Sequence, residues 1–482
     1  MRMVSESDKL PIRYREERKR LWDKIAHWRA AGLGWGNYYH QRLVDIYRFI
    51  IPAGMRVLEI GCAEGDLLAA LKPSQGVGID FSPQMIRQAK EKYPQYKFRQ
   101  VDAHDISEAG EFDFVILSDL VNDLWDVQAV LDRIQRVTSD HTRIVINTYS
   151  RVWELPLLLA RSLRLAAPVL PQNWLTVKDL ENLLNLAGYE IIHNWGEVIC
   201  PLALPFLSPL CNQYLVKLWP CRLLSLSHFI VARPLGAKAL PPPEPIVSVI
   251  VPARNEEGNI KEIVRRVPEM GAGTEIIFVE GHSTDQTVQA IKDAMNSCPS
   301  RRCLLVRQTG EGKGDAVRSG FSNASGDILM ILDADLTVPP EDLPRFYNVL
   351  VSGRGEFANG VRLVYPMEKE AMRFLNFLGN KFFSLAFSWL LGQSIKDTLC
   401  GTKALWRRDY ERIADNRDYF GDFDPFGDFD LLFGAAKLNM KIRDVPIRYR
   451  ERTYGSTNIR RWRHGLLLLR MTLFALRRIK FV

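Results

Sequence analysis

The stretch Val57–Leu71, VLEIGCAEGDLLAAL, decides the reading of the first half of the chain. An apolar run of strand character delivers Glu59 to a tight turn framed by Gly61 and Gly65, and a helical pattern follows from Asp66. Glycine there permits backbone conformations and a close ligand approach that a side chain would block. Outward from this unit, helical sequence over Tyr14–Ile51 leads in, and the strands GVGID, KFRQVD, FDFVILS and RIVINTY alternate with the helices MIRQAKEKY and VQAVLDRIQRV. Such alternation predicts a doubly wound α/β domain with a mostly parallel sheet. The pattern restarts at VSVIVPA (Val247–Ala253) and runs through EIIFVEG, CLLVRQ and ILMILDAD, with helices between. The Pro-rich run RPLGAKALPPPEP (Arg233–Pro245) separates the halves and reads as a stiff linker.

Composition agrees with this division. A chain of 482 residues is about three times an ordinary domain. With 47% hydrophobic and 25% charged residues it is no disordered chain. The expected boundaries are a helical extension over 1–50, a first α/β domain over 51–235, a linker over 236–246, a second over 247–458 and a basic tail over 459–482. Seven cysteines without a CxxC pair exclude a zinc ribbon and a disulfide framework, and no secretory leader opens the chain, so a reduced cytosolic protein is expected. The net charge of +8 is local: Arg443–Val482 holds eleven Lys/Arg against two acids, which leaves the rest at −1. A basic end on a neutral body points to an anionic surface or a phosphate-bearing substrate, and no nucleic-acid motif accompanies it. Apolar stretches such as Leu155–Leu170 and Gly465–Leu476 are short or broken by arginines, so no span is expected.

In the first domain Asp80 ends the second strand, in VGIDFS, where a carboxylate accepts ribose hydroxyls, and Asp102 ends the third, in VDAHD. The order Glu59, Gly61, Gly65, Asp80, Asp102 resembles class I S-adenosylmethionine-dependent methyltransferases over about Tyr38–Pro234, with Ala63 where the family's middle glycine stands. The resemblance implies that these five residues bind S-adenosylmethionine. A nicotinamide-binding Rossmann domain is the alternative, and the spacing Gly-x-x-x-Gly counts against it. In SDLVNDLWD (Ser118–Asp126), Asp119 and Asp123 are candidates for a base or acceptor clamp, and Asp126 reads as a helix cap. The Leu-, Pro- and Trp-rich Cys200–Leu226 fits a lid or a lipid-facing helix, but its main expectation is core.

In the second domain an apolar strand runs into Asp333-Ala334-Asp335. Two carboxylates one residue apart are hard oxygen ligands for a divalent cation that bridges to a diphosphate. Upstream lie VSVIVPARNEEGN, FVEGHSTDQT and GEGKGDAVRSG, and downstream DTLCGTKALWR (Asp397–Arg407). Together these resemble family 2 glycosyltransferases, most closely the polyprenyl-phosphate mannose and glucose synthases, over nearly all of Val247–Ile459. The resemblance implies a glycosyltransferase A-type fold and a nucleotide-sugar donor, UDP- or GDP-linked. It places Pro252, Asn255, Glu256 and Asp285 at the nucleotide, Lys313 at the diphosphate, and Asp333 and Asp335 on Mg²⁺ or Mn²⁺. Glu280-Gly281-His282-Ser283 replaces the usual Asp-Asp-Gly-Ser, which leaves the base contact open. The Asn458–Trp462 string mimics the polysaccharide-synthase Gln-x-x-Arg-Trp only in its last two letters.

A phosphate acceptor is ionised near pH 7 and needs no general base, whereas a sugar hydroxyl does. Asp428 and Asp430 are the candidates for such a base or for an orienting ligand. Arg448, Arg450 and Arg452 share one face if Ile447–Ile459 is a strand, and with Ser456 they are candidates to grip a phosphate. The segment after Ile459 reads either as a helix at lipid headgroups or as one docked on the domain, and Arg373–Gln393, with Lys381, as a second interfacial helix. The reading is a fused methyltransferase and inverting glycosyltransferase, acting on a polyprenyl phosphate or envelope glycan at the inner membrane face. Its alternatives are a non-catalytic first domain that docks the acceptor, and a soluble acceptor.

Overall fold

The computed structural model describes residues 6–30, 37–107, 110–163, 169–236, 244–362, 364, 374–417, 427–450, 452, 454 and 469–481. The chain divides into two compact units, the first running to Leu235 and taking in Phe481, the second Gly236–Lys480.

The first unit holds seven strands: β1 (Arg56–Ile60), β2 (Gln75–Asp80), β3 (Lys97–Gln100), β4 (Phe114–Ser118), β5 (Arg143–Tyr149), β6 (Tyr189–Glu197) and β7 (Ser227–Pro234). They lie in the order β3-β2-β1-β4-β5-β7-β6. All pairs are parallel except those of β7, which runs antiparallel to β5 and β6. Strands buried on both faces read as continuous apolar runs, and Val115, Ile116 and Leu117 of β4 are fully buried. Two helices, Glu6–Ala30 and Asn37–Ile50, precede the sheet, and Tyr47 and Ile50 of the second enter its core.

The second unit repeats the plan with β8 (Ile246–Ala253), β9 (Gly273–Glu280), β10 (Arg302–Arg307), β11 (Ile328–Ile331), β12 (Phe357–Val361), β13 (Lys403–Trp406) and β14 (Ile442–Pro446). The order is β10-β9-β8-β11-β13-β12-β14, with β13 antiparallel to both neighbours. The two sheets are Rossmann-like, and each changes direction of winding between its first and fourth strands, where such folds open a crevice for ligands.

Of the two readings of the end of the chain, the docked helix is the one that its described part takes: Met471 and Ala475 are buried in the second unit's core and Lys480 Nζ donates to Trp389 O. Two expectations need correction. Residues 447–450 are not a strand: past β14 the bonds from Ile447 N to Val361 O and from Arg450 N to Thr337 O are isolated ones. Cys200–Leu226 is mostly not core: Val216 and Leu226 are buried, but Leu202, Phe206 and Trp219 are exposed, while Ser208, Asn212 and Ser225 are buried. In the expected interfacial helix, Phe374–Leu391, one side packs through Phe387 and Leu390, whereas Phe382, Leu385 and Lys381 face outward.

Two candidate active sites

In the first unit the turn after β1 is left-handed at Gly61 (φ 76°) and Gly65 (φ 79°). A Cβ on Gly65 would stand 2.6 Å from the Phe98 ring, and one on Gly61 2.9 Å from Leu120. Ala63, at φ 45°, occupies a conformation that favours glycine. Asp80 holds the turn there by accepting from Ala63 N (3.0 Å) and Ser82 N (2.8 Å). Glu59 accepts from Leu68 N in the following helix (3.1 Å). Asp102 caps the next helical turn, taking both His104 N (2.8 Å) and His104 Nδ1 (2.7 Å). A cavity of about 780 Å³ opens here, lined by Glu59, Gly61, Asp80, Asp102 and Asp119.

Burial raises the Glu59 carboxyl well above the usual range. It lifts Asp80 to about 6 against the opposing bonds from Ser82 and Ala63, and Asp119 to about 7. Asp119 follows β4 with φ 51° and accepts from Tyr39 Oη (3.0 Å) and Asn147 Nδ2 (2.5 Å). Tyr39 Oη also lies 2.7 Å from Ser227 Oγ. Asp123 is bound by Trp22 Nε1 (3.3 Å) and faces Arg18 (3.7 Å), so it is held by the first helix. Asp126 is a cap, accepting from Ala129 N at 3.0 Å. Arg15, Arg18 and Trp22 line the same cavity, although nothing local in the sequence of 1–50 marked them. A glycine turn pressed against its neighbours, a buried acid on the second strand and a roomy cavity fit S-adenosylmethionine.

In the second unit the candidate residues gather past the carboxyl ends of β8, β9 and β11. Lys313, in the first turn of helix Gly312–Asn323, pairs with Asp333 at 2.5 Å. Burial pushes the Asp333 carboxyl up, but Lys313 with Lys403 and Arg362 outweighs it and the net shift is below the usual range. Arg452 reaches Asp335 Oδ2 at 2.7 Å and Glu256 Oε1 at 3.6 Å, and so joins the segment after β8 to the one after β11. Asp335 also accepts from Thr337 N (3.1 Å) and Thr337 Oγ1 (2.8 Å). Burial raises Glu256, opposed by Arg452 and by Asn259 Nδ2 at 2.8 Å.

Asn255, with φ 57°, accepts from Thr284 N at 2.8 Å. Asp285 caps the next helix through Thr287 N (3.0 Å) and Thr287 Oγ1 (2.5 Å). Pro252 lies within β8, half-buried. His282 is exposed, with Nε2 3.1 Å from Gly310 O. Glu280 is spent on its own turn, accepting from Ser283 N at 2.5 Å.

The DTLCGTK segment serves this site indirectly. Asp397 takes a two-point contact from Arg362 (2.7 and 2.9 Å), which holds its carboxyl down against burial. That anchor presents Gly401 to the ion pair: a Cβ on it would stand 2.1 Å from Lys313 Nζ and 2.3 Å from Asp333 Oδ2. Likewise a Cβ on Gly427 would meet Gly314 Cα at 2.8 Å, which sets the start of helix Asp428–Lys437 against the lysine turn. Asp430 in that helix is engaged by Arg417 at 2.9 Å. The Asp428 side chain, Ser456 and residues 455–468 lie outside the described residues. Arg448 and Arg450 are exposed.

Among the described residues no three His, Cys, Asp or Glu side chains converge as a metal cluster, and no helix is long and apolar enough to cross a membrane. Asp333 and Asp335 offer two hard carboxylates beside a glycine cradle. That donor set fits Mg²⁺ or Mn²⁺ completed by diphosphate oxygens.

Each Rossmann-like sheet thus carries a cluster of acids past its strand ends: Glu59, Asp80 and Asp119 in the first unit, and Asp333 and Asp335, each paired with a cation, in the second. Residues 51–188 match the profile described as a methyltransferase domain, and residues 248–414 that of glycosyl transferase family 2; the chain carries both. The chain is 29% identical over 221 residues to the dolichol-phosphate mannosyltransferase of Pyrococcus furiosus, covering 44% of this chain and 59% of that protein. It is 33% identical over 215 residues to the undecaprenyl-phosphate 4-deoxy-4-formamido-L-arabinose transferase of Salmonella paratyphi B, covering 44% and 62%. The corresponding Pseudomonas aeruginosa enzyme is 27% identical over 228 residues, with 45% and 61% covered. The chain thus spans about three fifths of the length of these relatives. Glucosyl-3-phosphoglycerate synthase from Mycobacterium tuberculosis, solved with Mn²⁺ and uridine diphosphate, superposes with a TM-score of 0.37 at 20% identity, covering 49% of this chain and 80% of that one. A chain from the Haloferax volcanii complex of a methyltransferase with its Trm112 activator gives 0.35 at 15%, covering 44% and 97%.

Proposed function

We propose that the chain is a two-domain transferase at the inner face of a membrane. The second unit moves a sugar, with inversion, from a UDP- or GDP-linked donor to a polyprenyl phosphate or related envelope glycan, and the first unit methylates an acceptor with S-adenosylmethionine. The observation that carries the sugar reaction is the pairing of Asp333 with Lys313 and of Asp335 with Arg452. A donor diphosphate and its cation match that alternation of charge: the lysine and arginine turn to phosphate oxygens and the carboxylates to the metal. A divalent cation held by Asp333 and Asp335 would offset the charge of the leaving nucleoside diphosphate. Glu256 and Asn255 hold the strand-end turns beside the donor. Asp430, engaged by Arg417, is poorly placed to take a proton, which favours an acceptor that is already ionised. The names of the relatives, which act on dolichol and undecaprenyl phosphates, support the same acceptor class.

The test uses the purified full chain, a panel of UDP- and GDP-sugars, and undecaprenyl phosphate in detergent. Nucleoside diphosphate release that depends on both donor and lipid phosphate is the expected result; no release with any donor sinks the sugar reaction. Calorimetric binding of S-adenosylmethionine to the full chain, lost in Asp80→Ala, is expected for the first unit. Without binding, that unit is a docking module.

A further inference from the structure

Among the described residues twenty-six large hydrophobic side chains are exposed, and fifteen fall in two short segments of the first unit, five over Val152–Leu163 and ten over Leu202–Leu224. The segments meet: Trp153 Nε1 donates to Leu224 O (2.9 Å), Ser150 N donates to Leu226 O (2.7 Å), and Tyr149 of β5 pairs with Ser227 of β7. The second segment is built inside out. Ser208, Asn212 and Lys217 are buried within it: Asn212 accepts from Ile199 N (2.8 Å) and Cys200 N (2.9 Å) and donates to Cys200 O, and Lys217 pairs with buried Glu197. Its leucines and aromatics point outward, and Phe206, held at φ 61°, is 91% exposed. A loop fixed around a polar centre with an apolar exterior is the reverse of an aqueous surface. Patches of this extent mark interaction or membrane sites.

Charge selects the partner. Cys200–Leu226 holds no Asp or Glu, and Val152–Leu163 holds one, Glu154, which faces Arg151 at 3.9 Å; Arg161, Lys217 and Arg222 are the basic residues of the two segments. Lys217 is matched by Glu197, and Arg222 is exposed. Leucines and aromatics with arginine and a single, ion-paired acid suit the headgroup layer of an anionic bilayer. We propose that this face of the methyltransferase unit seats in such a bilayer. It lies at the carboxyl end of β5, the rim that also carries Asp119 and the cavity, because Asp119 N donates to Asn147 O at 3.2 Å. An acceptor entering from that rim is therefore membrane-borne. The inference rests on the membrane part of the proposed function, and the two fail separately: nucleoside diphosphate release tests the sugar reaction and vesicle binding tests this face.

The experiment is flotation of the full chain with phosphatidylcholine vesicles that contain about one third phosphatidylglycerol. The wild type floats. The exposed double variant Leu158→Asp/Phe206→Asp floats about tenfold less at an unchanged melting temperature, since each change sets a carboxylate where an apolar side chain would enter the bilayer. As a second readout independent of variant folding, acyl-chain spin labels quench wild-type tryptophan fluorescence, and Trp219→Phe loses that quenching. Equal flotation of the double variant, no flotation of the wild type, or quenching unchanged in Trp219→Phe overturns the proposal. So does a dimer of the wild type in sedimentation that the double variant abolishes, because the face would then belong to a second copy.

Discussion

The two sheets share their first four strands in order and differ in what surrounds their acids. In the first unit Glu59, Asp80 and Asp119 sit at strand ends with no basic side chain among the described residues bonded to them, and burial drives all three carboxyls up. In the second, Asp333 and Asp335 each touch a cation, and Asp333 is held down. A site of unpaired acids is ready for a ligand that brings donors or positive charge, as a sulfonium cofactor does. A site of paired acids is ready to exchange its internal cations for a metal and its internal anions for phosphate. The same arrangement of strands thus gives its carboxylates two different electrostatic settings through the company they keep.

The strongest way to break this contrast is Asp335→Asn in the full chain. Sugar transfer is expected to fall roughly a hundredfold or more, about 3 kcal/mol of lost charge stabilisation, with S-adenosylmethionine affinity unchanged. Activity that persists in excess chelator would refute the assignment of Asp333 and Asp335. Next in size is removal of Arg460–Val482. Because Met471 and Ala475 are buried, a loss of about 2–4 kcal/mol is expected, read as a lower melting transition and damage to sugar transfer. An unchanged melt would return this segment to the surface.

Asp119→Asn sharpens the other side. A carboxyl lifted to about 7 by burial contributes stability that is present below its ordinary value, near 4, and lost as pH rises through 7. Thermal melts of the wild type should therefore decline between pH 5 and 8. The asparagine variant, which keeps an acceptor for Tyr39, should flatten that decline and melt higher at pH 8, by roughly 1–3 kcal/mol. Parallel pH curves would show that the acid is not protonated in the fold. The smallest effect belongs to Arg452→Ala. Without its internal cation Asp335, together with Asp333, should bind Mn²⁺ about fivefold more tightly in calorimetry without donor, close to 1 kcal/mol for a part-exposed ion pair. Weaker binding would mean that the arginine organises the carboxylates.

Both sheets were legible because their signals are local. Gly61, Gly65 and the apolar run before them specify a strand, a turn and a helix within fifteen residues, and Asp126 announces its capping role three residues ahead of Ala129 N. The arrangement around Asp119 was not legible. Tyr39, Asn147 and Ser227 come from separate elements, and the Tyr39–Ser227 contact spans 188 positions. Cys200–Leu226 misled for a related reason: leucine content states how much surface is apolar, and only the fold decides that Ser208 and Asn212 turn inward while Phe206 turns out. Arg452 was expected at phosphate, and its contact with Asp335 depends on backbone beyond β14 that has no periodicity to read.

Gly401 carries a consequence for anyone who varies this sequence. Its missing side chain is the space that Lys313 Nζ and Asp333 Oδ2 occupy, so even a methyl group collides with both. A saturation library at position 401 should return glycine alone under selection for sugar transfer. The neighbouring Thr402, which contributes neither charge to the ion pair nor room for it, should tolerate serine. A scan of that kind would locate the lysine–aspartate pair from the silence of a residue that takes no part in the reaction.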